Sequence, residues 1–333
     1  MKKVQGAFYT KTGKASDVLQ IGRFDIAEPE ANEVQLEIIT SGINPSDVKT
    51  RNGLRGELTY PYIIPHSDGA GIIRQIGNKV TDFKIGDRVW VYNAAWNRNV
   101  GTACETINIA ASLVVPLPEN VSFETGACLG VPGLTAAAAL LSLNCKAGDR
   151  IMITGGAGSV GMLAIQLAKI LGFKVITTVS SQAKADIAIK AGADYAINYT
   201  KHNVVDAVMP LTADQGIDGL IDVDFGANIA WSIEVLKPHT TIATYASASV
   251  PNPVFPFYQV MFKQIKIQPI FVYILPDELR LRSIDLIQKA CQENLLTPLI
   301  HAIYPLTDII LAHEAVENNQ KLGQVLLTLN PQM

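Results

Sequence analysis

The residues best suited to chemistry are glycines at fixed spacing. In Ile151-Met-Ile-Thr-Gly-Gly-Ala-Gly-Ser-Val-Gly161 they fit G-x-G-x-x-G as Gly156, Gly158 and Gly161. Glycine at the first place permits a sharp turn. At the second it lets backbone approach a pyrophosphate, and at the third it lets a helix pack on a strand. The amides of Ser159, Val160 and Gly161 open that helix and can hold phosphate. The flanks agree. Arg150-Ile-Met-Ile-Thr154 reads as a parallel-sheet strand. Val160, Leu163, Ala164, Leu167 and Leu171 keep helical spacing up to Gly172, and Phe173-Lys-Val-Ile-Thr-Thr-Val179 is a second strand. The stretch is the length of a βαβ unit, about 30 residues.

The end of the second strand selects the dinucleotide. An NAD site places Asp or Glu there, roughly 20 residues after the first glycine, to bind ribose hydroxyls. Here the chain reads Thr177-Thr-Val-Ser-Ser-Gln-Ala-Lys184, with no acid before Asp186. Ser180, Ser181 and Lys184 can donate to a 2′-phosphate that a carboxylate would repel. This corner predicts NADPH over NADH, with Tyr199 lining the same pocket. Serine and lysine also suit a helix cap and a solvated helix face, so that plainer role stays open.

Positioning such residues takes two domains. The chain has 333 residues, against about 150 for a typical domain. Hydrophobic content is 48% and charged content 17%, which excludes a disordered chain. The first stretch holds alternating runs such as Val34-Gln-Leu-Glu-Ile-Ile-Thr40, then Gly69 to Gly77 and Asp87 to Tyr92. They predict mostly antiparallel strands, forming a partly closed barrel. From about Ser122, helices and strands alternate to about residue 260, which predicts a parallel doubly wound sheet. Leu279 to Cys291 and Thr307 to Asn318 read as helices, and Gln324 to Leu329 as a strand. A nucleotide domain of residues 125–261 is thus expected between the two parts, 1–124 and 262–333, of the other domain.

Several functions are disfavoured. A net charge of −3 without a basic run argues against nucleic acid and anionic membrane. The start, Met1-Lys-Lys-Val-Gln-Gly-Ala-Phe, has no long apolar core, so no signal peptide or membrane span is expected and a cytoplasmic enzyme is the default. The four cysteines form no C-x-x-C pair, and the five histidines show no ligand spacing and are expected mostly at the surface.

Further motifs occur in order: Gly42-Ile-Asn-Pro-Ser-Asp-Val-Lys-Thr-Arg51, Pro65-His-Ser-Asp-Gly-Ala-Gly71, Gly86-Asp-Arg-Val89, Gly133-Leu-Thr-Ala136, Gly192 to Tyr199 and Gly323-Gln-Val325. With the glycine motif they make the chain resemble the medium-chain dehydrogenases/reductases, specifically the zinc-free quinone oxidoreductases of the zeta-crystallin type. The resemblance covers essentially the whole chain. It implies a GroES-like, mostly antiparallel β-barrel domain plus a Rossmann domain.

Zinc alcohol dehydrogenases of that superfamily carry ligands where this chain has Asn44, Ser67 and Val131. Their four-cysteine lobe corresponds to residues 93–105, which hold only Cys104. A catalytic zinc needs about three protein ligands, so the resemblance implies no metal. Without a Lewis acid, oxidising an alcohol is hard, whereas hydride delivery to a quinone or an α,β-unsaturated carbonyl remains open.

By the same resemblance Asn44 lies beside the nicotinamide as an amide donor. Lys49 donates to the acceptor or pairs with Asp47, and Thr135 sits near the nicotinamide amide. Tyr92 and Trp96 either form an aromatic wall for a flat acceptor or fill core. A sheet edge near the aromatic segment Val250 to Lys263 joins two subunits in the family, which implies a homodimer. The alternative activity is none at all, an NADPH-binding protein of crystallin or sensor type.

Overall fold

Val34-Gln-Leu-Glu-Ile alternates apolar and polar residues, and it lies in the longest strand among the described residues. The computed structural model describes residues 2–318 and 321–329. They form two units, one of residues 2–132, 298–318 and 321–329 and one of 133–297.

The first unit opens with the antiparallel pair β1 (Lys2–Phe8) and β2 (Gln20–Ile26), joined through α1 (Ala15–Val18). Then follow β3 (Glu33–Ile43), α2 (Pro45–Arg51), β4 (Asp68–Ile76), β5 (Arg88–Val91), β6 (Thr106–Ala110), β7 (Val114–Pro116) and α3 (Phe123–Gly126). Further on, this unit owns β14 (Ile300–Pro305), α11 (Ile309–Glu317) and β15 (Gln324–Thr328). The sheet order is β14-β15-β3-β4-β5-β7, with β6 also on β3. Pairing is antiparallel except between β14 and β15.

The register decides what surrounds Asn44. Gly42 faces Asp68 across one edge of β3, and Ile43 faces Val325 across the other. The residue that follows β3 therefore emerges between the starts of β4 and β15. Gly42 cannot be larger, because a Cβ there would lie 2.3 Å from the Ala127 carbonyl. Leu36, Ile38, Ile73, Val89 and Ile107 are fully buried in the core beneath.

The second unit contains α4 (Leu134–Leu141), β8 (Arg150–Ile153), α5 (Ser159–Ile170), β9 (Lys174–Val179), α6 (Gln182–Lys190), β10 (Tyr195–Asn198), α7 (Val204–Leu211), β11 (Gly219–Asp222), α8 (Phe225–Val235), β12 (Thr241–Thr244), α9 (Phe257–Lys263), β13 (Lys266–Pro269) and α10 (Asp277–Gln292). All pairs are parallel, in the order β10-β9-β8-β11-β12-β13. The order reverses at β8, so ligands belong above the carboxyl ends of β8 and β11.

The expected domain boundaries need correcting. They fall at 132/133 and 297/298, not at 124/125 and 261/262. The second moves because β13 pairs with β12 and extends the parallel sheet. α10 then packs on α4 and α5.

Candidate functional site

In the glycine loop after β8, the sharp turn belongs to Gly155, whose φ of +69° only glycine adopts readily. This corrects the expectation that Gly156 makes the turn. Gly156 is needed for proximity instead, since a Cβ there would lie 2.2 Å from Thr177 Oγ1 on β9. Gly161 lets α5 meet the loop, because a Cβ would come within 2.3 Å of the Gly155 carbonyl. Gly158, the N-cap of α5, is exposed and is the place where backbone stays open to approach.

Met162 donates back to the Gly158 carbonyl at 2.9 Å, so the amides of Ser159, Val160 and Gly161 precede the first intrahelical donor. Ser159 Oγ is buried and has no hydrogen-bond partner. An anion-shaped set of donors is thus assembled, with one hydroxyl left to fill.

In the corner after β9, Ser180, Ser181 and Lys184 are joined by hydrogen bonds. Lys184 Nζ donates to Ser180 Oγ at 2.9 Å. Ser181 caps α6, its Oγ accepting from the Lys184 amide at 3.3 Å. Tyr199 donates its amide to the Val179 carbonyl at 3.1 Å and leaves its ring 54% exposed. Thr135 is buried in the first turn of α4.

Asp222 went unassigned in the sequence, where it reads as one acid in Gly219-Leu-Ile-Asp222. It ends β11 and is fully buried. Its Oδ1 accepts from Thr154 Oγ1 at 2.8 Å and Asn228 Nδ2 at 2.7 Å, tying the glycine loop to β11. Burial raises its pKa above the usual carboxylate value, against the pull of those two donors. No motif marks such a residue. Only the sheet order brings it beside the loop.

In the first unit, Asn44 is the N-cap of α2 and is buried. Its Nδ2 donates to Asp68 Oδ2 at 2.7 Å, and its Oδ1 accepts from Gln324 Nε2 at 3.1 Å. Asp68 also accepts from the Val131 amide at 2.9 Å on both oxygens. Asp47 accepts from the Asn44 amide at 2.8 Å. Burial raises the Asp47 pKa to about 7 and that of Asp68 well above its ordinary value.

Lys49 is half-buried, and among the described residues it makes no ion pair with Asp47. Tyr92 corrects the aromatic-wall expectation. It is buried, its ring lies 6.0 Å from that of Trp90, and its hydroxyl donates to the Ser112 carbonyl at 2.8 Å. Core packing claims that side chain. Trp96 is half-buried in the loop that follows.

Three of the five histidines, His202, His239 and His301, are exposed, as expected of most of them. His66 and His313 are fully buried, with their Nε2 atoms 2.9 Å apart. Burial lowers His66 to about 3 and His313 well below the usual imidazole value. Ser41 Oγ lies 2.9 Å from His66 Nδ1 and 2.7 Å from Thr102 Oγ1. Thr102 commits its proton to the Asp68 carbonyl at 2.5 Å, so Ser41 donates to Thr102 and accepts from His66. His66 Nε2 is then an acceptor, and both rings are neutral. The return of α11 to the first unit draws them together across the sequence. Among the described residues, no group of three or more His, Cys, Asp or Glu could hold a metal ion.

Comparison with known proteins agrees with this geometry. Residues 30–142 match the alcohol dehydrogenase GroES-like domain, and residues 159–289 match the zinc-binding dehydrogenase family. The second description names zinc, but Asn44, Ser67 and Val131 offer no metal-binding set here. The chain is 30% identical over 325 residues to a probable quinone oxidoreductase of Schizosaccharomyces pombe, covering 96% of each. It is 28% identical over 308 residues to the quinone oxidoreductase of Rattus norvegicus, covering 91% of each. A crystal structure of Escherichia coli quinone oxidoreductase complexed with NADPH superposes with a TM-score of 0.84 at 27% identity, covering 98% of this chain and 100% of that one. The chain belongs to the quinone oxidoreductase family of medium-chain dehydrogenases/reductases.

Proposed function

We propose that this protein is an NADPH-dependent oxidoreductase that reduces quinones without zinc. One observation carries the cofactor assignment: Lys184 and Ser180 meet at the end of β9, where no carboxylate stands, beside an α5 terminus with an unpartnered Ser159 hydroxyl. Relatives named quinone oxidoreductases, and one solved with NADPH, support the same reading.

The residues fit the cofactor. The Ser159, Val160 and Gly161 amides take the pyrophosphate, with Gly156 and Gly158 keeping the approach open. Ser180, Lys184 and the exposed Tyr199 take the 2′-phosphate corner, and Ser181 holds α6 in place for them. Thr135 serves the nicotinamide end. When bound, NADPH supplies the hydride. Asn44 and Lys49 donate to the acceptor oxygen on which negative charge develops, and solvent returns the proton. Short enones and enals present the same kind of oxygen and are accepted as well. The non-catalytic alternative has no support among the matched relatives.

We further propose a homodimer in a cytoplasmic setting. β13 ends the parallel sheet, and nearby Val254, Tyr258 and Phe262 are 92%, 67% and 75% exposed. Exposed apolar groups beside an unpaired strand favour association. No helix among the described residues is long and apolar enough to cross a membrane.

The test is NADPH oxidation in the presence of 1,4-quinones and, separately, short enones. Turnover with quinones is expected, with NADH a much poorer donor. Failure of both acceptor sets while NADPH still binds would overturn the assignment.

A further inference from the structure

We propose that Gln324 is a positioning residue: together with Asp68 it fixes which way round the Asn44 amide stands, so that its nitrogen is the end that donates to the acceptor. The inference rests on the reading of Asn44 as a donor and adds what makes it one.

The hydrogen-bond polarity runs one way. Gln324 is buried at the start of β15, and its Nε2 donates both hydrogens, one to the Ile43 carbonyl at 2.8 Å and one to Asn44 Oδ1 at 3.1 Å. Its Oε1 makes no hydrogen bond. Swapping the two ends of the Gln324 amide would set an oxygen against two acceptors. On the other side, the Asp68 carboxyl receives the Val131 amide and Asn44 Nδ2.

Asn44 is therefore held at its oxygen by a donor and at its nitrogen by an acceptor. The second Nδ2 hydrogen has the Asp47 carboxyl as its neighbour, a contact that an acceptor oxygen would replace. If the amide turned over, its oxygen would face Asp68 and its nitrogen would face Gln324 Nε2. The second contact would set donor against donor, at a cost set by burial. An amide held this way needs no reorganisation to stabilise charge developing on a substrate oxygen.

The register explains why these residues share the task. Asn44 follows β3, whose last residues pair with β4 and β15, and those strands begin at Asp68 and Gln324. Gly130 leaves room for Asp68, since a Cβ there would come within 2.1 Å of Asp68 Oδ1.

Gln324→Glu keeps size and leaves at most one donor hydrogen where Gln324 has two. Gln324→Lys keeps a donor for the Ile43 carbonyl and Asn44 Oδ1. Each purified variant would be assayed with NADPH and 1,4-benzoquinone, alongside its NADPH Kd and melting temperature. The expected result is a fall in kcat of about tenfold to a hundredfold for Gln324→Glu, with an unchanged NADPH Kd. For Gln324→Lys the expected result is recovery to within about threefold of the parent. Retention of kcat by Gln324→Glu, or equal losses in both variants that track melting temperature, would overturn the proposal.

Should Gln324→Glu fail to fold, Asp68→Asn replaces it. The introduced amide must still accept from the Val131 N–H, so it turns its own NH2 toward Asn44, and the same loss of kcat is expected. If the parent itself fails to reduce quinones, the functional reading falls instead. The amide orientation is then read from a crystal structure fine enough to place hydrogens, where a reversed Asn44 would refute the polarity.

Discussion

Lys184 carries the proposed preference for NADPH at the level of one side chain. Its ammonium meets Ser180 Oγ at 2.9 Å in a corner without a carboxylate. Lys184→Met should raise the KM for NADPH about tenfold or more, since a hydrogen bond to a charged group contributes about 1.5–3 kcal/mol. The KM for NADH should stay within about twofold, and a parallel rise for both cofactors would point to general damage. Asp47 makes a prediction about pH. Burial raises its pKa from 3.8 to about 7, so the folded chain holds a proton that the unfolded chain releases. Stability from this source is complete below about pH 4 and is lost as pH rises toward about 7. Tyr9, Arg55 and Asp68 are the charged or titratable groups that interact with it. Melting temperature should therefore fall less between about pH 4.5 and pH 7.5 in Asp47→Asn than in the parent. Equal slopes would contradict it.

At the scale of elements, the loop between β8 and α5 separates two duties that the glycine pattern merges. Gly161 serves packing, and Gly161→Ala forces a Cβ to 2.3 Å from the Gly155 carbonyl. Overpacking of this kind costs about 1–3 kcal/mol, which should lower the melting temperature by roughly 3 °C or more. Gly158 has only the Gly155 carbonyl near it, 3.2 Å from a Cβ. Gly158→Ala should leave melting within about 2 °C of the parent yet weaken NADPH binding, because its methyl group occupies the phosphate approach. Thermal melts with and without NADPH separate the two. A Gly158→Ala protein that binds NADPH normally would remove that glycine from the site. Arg51 illustrates a different elemental link. Fully buried on α2, it bonds the Gly13 carbonyl at 3.0 Å and pairs with Glu317 of α11, closing the helix that carries Asp47 and Lys49 onto the end of the chain.

For the whole molecule, the question is what covers α9 and the free edge of β13. Phe262 and Tyr258 are exposed with their rings 6.0 Å apart, an apolar pair that supports the proposed homodimer. A stable pair of copies buries about 800 Å² on each. Light scattering at micromolar concentration should report twice the chain mass, and Phe262→Glu with Tyr258→Glu should shift it toward one. A monomeric parent would refute the homodimer.

Local pattern determined much of this protein. Spacing located β8, α5 and β9, because a helix and a parallel strand each impose a period on neighbouring residues. The absence of an acid before Asp186 was legible for the same reason: the ribose corner lies a fixed distance along the chain from the glycines. Gly155 was not legible as the turn residue, since composition does not reveal which of two adjacent glycines takes positive φ. Tertiary structure alone decided the rest. Asp222 reached the glycine loop because β11 pairs with β8, and His66 met His313 because α11 returns to the barrel after the second unit. Tyr92 was claimed by the core, and Gln324 came to Asn44 because β15 pairs with β3. Each of these joins residues far apart in sequence, and sheet pairing leaves no periodic trace in the chain that obeys it.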